Sequence, residues 1–235
     1  MAPERISPDN LTPQQPLSEW ELSGRPPSSL RDAAYELIKQ RIIMWTYRPG
    51  EALSEAAVSA ELGLGRTPVR QAFDRLMRDG LVEVLPRKGI LVRPITQDEV
   101  RDMVEARLIN ECFCARQAAE RIDQTTLLEL QANLGAGRAA LGHYDVEALM
   151  RLDRNFHAAI CSSAQNVVLS DFMKIIHERS QRVWHLSLRD RDHNRRVMVE
   201  HGAIVAALGD HDADGAEAAM RAHILSFAEN LGRLL

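Results

Sequence analysis

From Gln97 to Arg233, apolar side chains recur at helical spacing, and no alternating or β-branched run interrupts them. Periodic segments lie near 97–121, 124–141, 145–163, 167–189, 195–209 and 212–233. They are separated by breaks at Gly142-His143, Gln165-Asn166, Asp190–Asn194 and Gly209–Asp214. A stretch built this way has one economical solution, an antiparallel all-helical bundle of six to seven helices joined by short connections. Aromatic residues make up only 5% of the 235, so its core must come from Leu, Ile, Val, Ala and Met. No run approaches the roughly 18 apolar residues of a membrane span, and no basic region followed by an apolar core marks the N-terminus. Cys112, Cys114 and Cys161 are an odd, sparse set without a CxxC spacing, which suits neither a disulfide framework nor a zinc finger. These features predict a reduced, cytoplasmic protein with no membrane segment.

The first 95 residues read differently. Residues 1–27 hold six of the ten prolines and few apolar side chains, the composition of a flexible tail. Residues 28–95 then form a second domain, with 96–235 as the bundle. Leu30, Ala34, Leu37, Ile38, Ile42 and Trp45 mark an amphipathic helix that stops at Arg48-Pro49-Gly50. Ser54 precedes a short helix carrying Ala57, Val58, Glu61 and Leu62, which Gly63 breaks. Thr67-Pro68 opens a third helix, with Thr67 able to cap it and Val69, Ala72, Phe73, Leu76 and Met77 as its buried face. Leu81–Leu85 and Ile90–Val92 flank a basic turn and read as a hairpin.

Helix, helix, turn, helix and hairpin within one small domain is the order of a winged helix-turn-helix, overall a mainly α fold. In that arrangement the second helix of the pair presents its first turn to base edges in the major groove. Here that turn carries Arg66, Thr67 and Arg70, and arginine offers the donor fork that fits guanine O6 and N7. Arg75 and Arg78 lie further along, where phosphate contact is expected. Arg87, Lys88 and Gly89 form the wing tip, two cations and a glycine that allows close backbone approach. Residues 25–95 hold twelve Lys/Arg against eight Asp/Glu, whereas the flanking segments are acidic and bring the chain to −4. A basic block between acidic ones points to a polyanionic partner for that block.

The stretch Gly63-Leu64-Gly65-Arg66-Thr67-Pro68-Val69-Arg70-Gln71-Ala72-Phe73, with Leu76, Gly80-Leu81-Val82 and then Pro86, Gly89 and Val92, resembles the signature of the GntR family of bacterial transcription regulators. The resemblance covers residues 30–94 and puts Arg66, Thr67, Arg70 and Gly89 on DNA-contacting positions. Two positions depart from the usual pattern. Gly65 stands where the family usually has Ser, removing one hydroxyl, and Gln71 stands where it has Glu.

A second constellation lies in the helical half. Asp153 and His157 sit four residues apart and share a helix face. Leu149, Ile160 and Ala164 mark that face as buried. His201 and His223 lie on apolar faces of two later helices. Several buried polar rings need a common partner, because uncompensated burial is costly. A divalent cation held by three imidazoles and a carboxylate would satisfy them. Hydrogen-bonded core histidines and an i,i+4 salt bridge are the other account of the same residues. His143, His177, His185, His193 and His211 read as surface or capping residues.

The same region is similar to the FCD domain, the effector domain of the FadR-type branch of that family. The similarity rests on Asp153–His157, Asn166, Glu200–Leu208, Gly209-Asp210 and Met220–Ile224. It implies that Asp153, His157, His201 and His223 bind a metal, with zinc expected first and nickel, manganese or iron(II) as alternatives. It further implies that Arg107 clamps a small carboxylate effector beside the metal. Without the resemblance Arg107 reads as the partner of Glu111 one turn on. Arg151, Asn155 and Arg196 are further pocket candidates.

The expectation from sequence is a homodimeric repressor that binds a palindromic operator and senses a small organic acid, not an enzyme. Two alternatives remain: a regulator in which the metal is itself the signal or purely structural, and a metal-dependent hydrolase.

Overall fold

The computed structural model describes residues 29–85, 89–188 and 190–233. The tail expected over 1–27 and the wing-tip residues Arg87 and Lys88 lie outside the described residues. The chain divides into two compact units between Pro94 and Ile95.

The first unit starts with α1 (Leu30–Ile43), whose first turn is capped by the Ser29 side chain accepting from the Asp32 N–H. Ala34, Leu37, Ile38 and Ile42 are buried, as their spacing predicts. Trp45 does not continue that face. The helix ends at Ile43, the Met44 N–H closes back on Gln40 and Ile42, and Trp45 takes a left-handed φ of 58° in the turn. The chain continues through β1 (Ala52–Leu53) to α2 (Glu55–Leu62). Gly63 stops α2 at φ 64°, a conformation glycine adopts without a Cβ clash, and its N–H returns to Ser59 and Ala60.

Helix α3 (Arg66–Arg78) begins one residue before the expected cap. Gly65, not Thr67, is its N-cap, and it offers no side-chain hydrogen bond. Val69, Ala72, Phe73 and Leu76 are buried. Met77, expected with them, is 43% exposed, because it lies about 100° around the helix from Leu76. Strands β2 (Val82–Leu85) and β3 (Gly89–Val92) form the expected hairpin, with Val82 opposite Val92 and Leu85 opposite Gly89. The hairpin is the larger part of a three-stranded antiparallel sheet in the order β1-β3-β2, with Ala52 opposite Leu91. The two-residue β1 is too short to show an alternation in sequence. Leu53, Val82, Ile90 and Val92 join α1, α2 and α3 in one core.

The second unit contains six helices among the described residues: α4 (Gln97–Arg121), α5 (Gln124–His143), α6 (Val146–Ser163), α7 (Val167–Ser187), α8 (Arg191–Gly209) and α9 (Ala213–Gly232). Each has a capping side chain, from Thr96, Asp123, Asp145, Asn166, Asp190 and Asp212 in turn. The Asp190 cap corrects one expected break. Its carboxylate accepts from the N–H groups of Asp192 and His193, so the polar run after it is the first turn of α8 and not a loop. Helix α4 runs through the middle and packs against α6, α7, α8 and α9. Its inward side chains therefore meet those of four other helices. Among the described residues no helix is long and apolar enough to cross a membrane.

Candidate functional site

On α3 the apolar positions fix the helix to the core and turn Arg66, Thr67, Arg70, Gln71 and Arg78 outward, all of them exposed. The first turn leaves its backbone N–H groups without a side-chain cap, unlike the other eight helices among the described residues. Uncapped donors at a helix N-terminus, flanked by arginines, suit an anion such as a phosphate. Arg75 is placed differently. Its guanidinium lies 3.6 Å from the centre of the Tyr35 ring and 3.7 Å from Asp32 Oδ1, engaged within the domain. Gly89 sits at φ 86°, and a Cβ there would come within 3.1 Å of the Leu53 carbonyl oxygen. The base of the wing thus requires glycine both for backbone angle and for space.

In the bundle, α6, α8 and α9 bring His157, His201 and His223 together. One ring nitrogen from each lies within 4.8 Å of the others, and the three residues are 2 to 3% exposed. Asp153 Oδ1 lies 3.7 Å from His157 Nε2 and 3.7 Å from His201 Nε2. The four residues named by the sequence motif therefore face one point. His201 is held by stacking on Phe156, with ring centres 3.9 Å apart and planes 8° from parallel. His157 Nδ1, His157 Nε2 and His201 Nε2 are buried without a hydrogen bond of good geometry. Burial, reinforced by the neighbouring rings, pushes the His201 and His223 imidazoles well below their usual range. Burial pushes the Asp153 carboxyl up. Neutral imidazoles with unpartnered lone pairs are what a divalent cation takes as ligands. Four ligand atoms about 2.1 Å from a common ion stand roughly 3 to 4 Å apart, close to the spacing here.

Two carboxylates stand behind these rings. Glu200 Oε2 lies 2.9 Å from His223 Nδ1. Glu111 Oε2 lies 2.7 Å from His157 Nδ1. In each case the outer nitrogen meets an acid and the inner one faces the cluster, the arrangement that orients ligating histidines. Arg107, buried on α4, donates from Nε to Glu111 Oε1 at 2.5 Å. It is the i+4 ion pair legible in sequence, but it is buried and not at the surface. A cleft opens beside the cluster, walled by Arg107, Asp153, His157 and His223 on one side. His177, Ser180, Gln181 and Trp184 of α7 form another side, with Phe227 also in the lining. Arg154 lines this cleft, whereas Arg151, Asn155 and Arg196 do not.

The reading of the remaining histidines needs correction. His177 and His193 are buried, not at the surface. His177 follows Met173 and Ile176 on the inner face of α7, a signal that was present in the spacing. His193 was hidden by the charged residues around it. Glu200 and the α7 wall carried no signal until the helices were packed.

The histidine chemistry gives a pH expectation for the metal-free protein. Lowered imidazole pKa values mean that the unfolded chain takes up protons before the folded one does. Stability is therefore fully present above about pH 6.5, the unfolded histidine value, and falls as pH drops below it. Asp153, shifted up by burial, acts in the opposite direction. Melting of the chelator-treated protein should drop between pH 7.5 and 5.5. A flat profile over that window would show that these rings are not buried in neutral form.

The two halves match known families. Residues 30–92 match the model for bacterial regulatory proteins of the gntR family, and residues 102–226 match the FCD domain. The HTH-type transcriptional regulator YdfH of Escherichia coli O6:H1 is 29% identical over 216 residues, 92% of this chain and 94% of that protein. The HTH-type transcriptional repressor RspR of Escherichia coli K12 is 28% identical over 214 residues, 91% of this chain and 94% of its own. Among solved structures, E. coli McbR/YncC aligns with a TM-score of 0.79 at 21% identity, covering 87% of this chain and 98% of the other, a likeness of fold. The exposed arginines of α3, the wing and the helical domain are accordingly parts of a transcription regulator and not of an enzyme. The chain belongs to the GntR family of ligand-responsive, DNA-binding transcription regulators, with an FCD domain as its effector-binding half.

Proposed function

We propose that the protein is a homodimeric cytoplasmic repressor that binds a palindromic operator and releases it when a small carboxylate occupies the cleft in the helical unit. The observation that carries this reading is the convergence of Asp153, His157, His201 and His223 beside a cleft that Asp153, His157, His223 and Arg107 line. These four side chains would hold a divalent metal, with zinc expected first and nickel, manganese or iron(II) as alternatives. A bound cation supplies an open coordination position for a carboxylate oxygen. Arg107 offers charged donors from a second side, which fixes the orientation of the acid. On the DNA side, Arg66 and Arg70 read base edges, while Thr67, the uncapped first turn of α3 and the wing residues Arg87, Lys88 and Gly89 approach the backbone. Two copies place two α3 helices on two half-sites. Repression is in keeping with the repressor named among the relatives. For the ligand to act, it must bind one arrangement of the paired DNA units better than another.

The test is a thermal-shift screen of zinc-loaded protein against small carboxylic acids. A true ligand at a hundredfold excess over its Kd adds about 2.7 kcal/mol. At about 2 to 4 °C per kcal/mol for a chain of this size, melting should rise by roughly 5 to 10 °C. A hit must also weaken operator binding. Operator affinity unchanged by a saturating hit would reject the release mechanism. Operator binding that follows metal loading alone would favour the metal as the signal.

A further inference from the structure

Glu111 is the charge behind the cleft rather than in it. It is 1% exposed, does not line the cleft, and touches three residues that do. Oε1 receives Arg107 Nε at 2.5 Å and lies 3.3 Å from His177 Nε2, while Oε2 lies 2.7 Å from His157 Nδ1. Arg107 Nη2 reaches Oε2 at 3.4 Å. Glu111, His157 and His177 are close enough together to hold a metal themselves. The guanidinium argues against that use, because both carboxylate oxygens already have a cationic donor and a second cation beside it would be repelled. A buried carboxylate with this set of partners is a fixed acceptor.

We propose that Glu111 is a positioning residue. With the metal bound it would accept the Nδ1 proton of His157, 2.7 Å away, fix that ring's tautomer and plane, and so direct the Nε2 lone pair at Asp153, His201 and the metal they share. Arg107 has two duties in this scheme, since it holds the Glu111 carboxylate in place from Nε and Nη2 as well as lining the cleft. Nothing in the sequence motif assigns Glu111 a role toward the metal, because its link to His157 crosses from α4 to α6. The inference rests on the metal reading above, and its test separates the two.

Zinc affinity is measured by competition with a chromophoric chelator for the wild type, Glu111→Gln and Glu111→Asp, alongside melting of each metal-free form. Wild type should bind one zinc per chain. E111Q should bind zinc about 10- to 100-fold more weakly, the usual loss when the acid behind a ligating histidine is removed. E111D, which keeps the charge, should recover part of that loss. A folded E111Q with zinc affinity within about twofold of wild type would overturn the proposal and leave Glu111 as a core ion-pair partner only. If E111Q does not fold, E111D alone decides, since its shorter reach should still weaken zinc several-fold and an unchanged affinity overturns the proposal. Absence of zinc, nickel and cobalt binding by the wild type would overturn the metal reading itself, and this proposal with it.

Discussion

Replacing His201 by asparagine should lower zinc affinity by at least about 100-fold. Removing the partner behind a ligand already costs 10- to 100-fold, and the ligand itself should cost more. The ring also stacks on Phe156 at 3.9 Å, so H201N loses packing as well as coordination. The two effects separate experimentally. Loss of packing lowers melting of the metal-free protein, whereas loss of coordination abolishes the additional stabilisation that zinc gives. If H201N retains wild-type zinc content after dialysis, His201 is a core histidine and the Asp153, His157, His223 set must be reconsidered. The adjacent Glu200 provides an internal comparison. Glu200→Gln leaves all four proposed ligands in place and alters only the partner of His223 Nδ1, so its zinc loss should be smaller than that of H201N.

The second large effect is expected on the DNA side. Arg70→Ala should remove one base contact from each half-site. A bidentate arginine–guanine pair discriminates by about 1 to 3 kcal/mol, and a dimer loses it twice, so operator affinity should fall by roughly 30-fold to more than 10⁴-fold. Non-specific binding should change much less, because backbone contacts dominate it. Arg70 is exposed, so the fold should persist. Arg75→Ala should behave oppositely. Its guanidinium over Tyr35 is worth about 0.5 to 1 kcal/mol, and its loss should appear in stability before it appears in sequence preference. Footprints of the two variants on one operator fragment check both statements. Unchanged protection by R70A would reject the docking of α3.

How far the sequence reached differs between the two units. In the first, the spacing of Leu37, Ile38 and Ile42, the Ser54 cap and the Gly63 stop are local features, and each helix lies near where they put it. The errors were also local. Trp45 obeyed the helical period but fell past the point where the backbone turned. Met77 was one position beyond the buried stripe. Gly65 took the capping position expected of Thr67. In the bundle, six periodic segments gave six helices, with one start displaced because Asp190 capped a polar run.

The local sequence determined the elements, their order and the shared face of Asp153 and His157, because helix periodicity, capping and an i,i+4 pair are each encoded within a few residues, while the resemblance to the FCD domain joined His201 and His223 to that pair. Only the tertiary structure decided what stands behind those ligands. Glu111 meets His157 across α4 and α6, Glu200 meets His223 across α8 and α9, and α7 supplies a wall with His177, Ser180, Gln181 and Trp184. Such contacts depend on how far each helix is rotated and slid when its apolar face is buried. That rotation is set by packing over the whole unit, and no single segment records it.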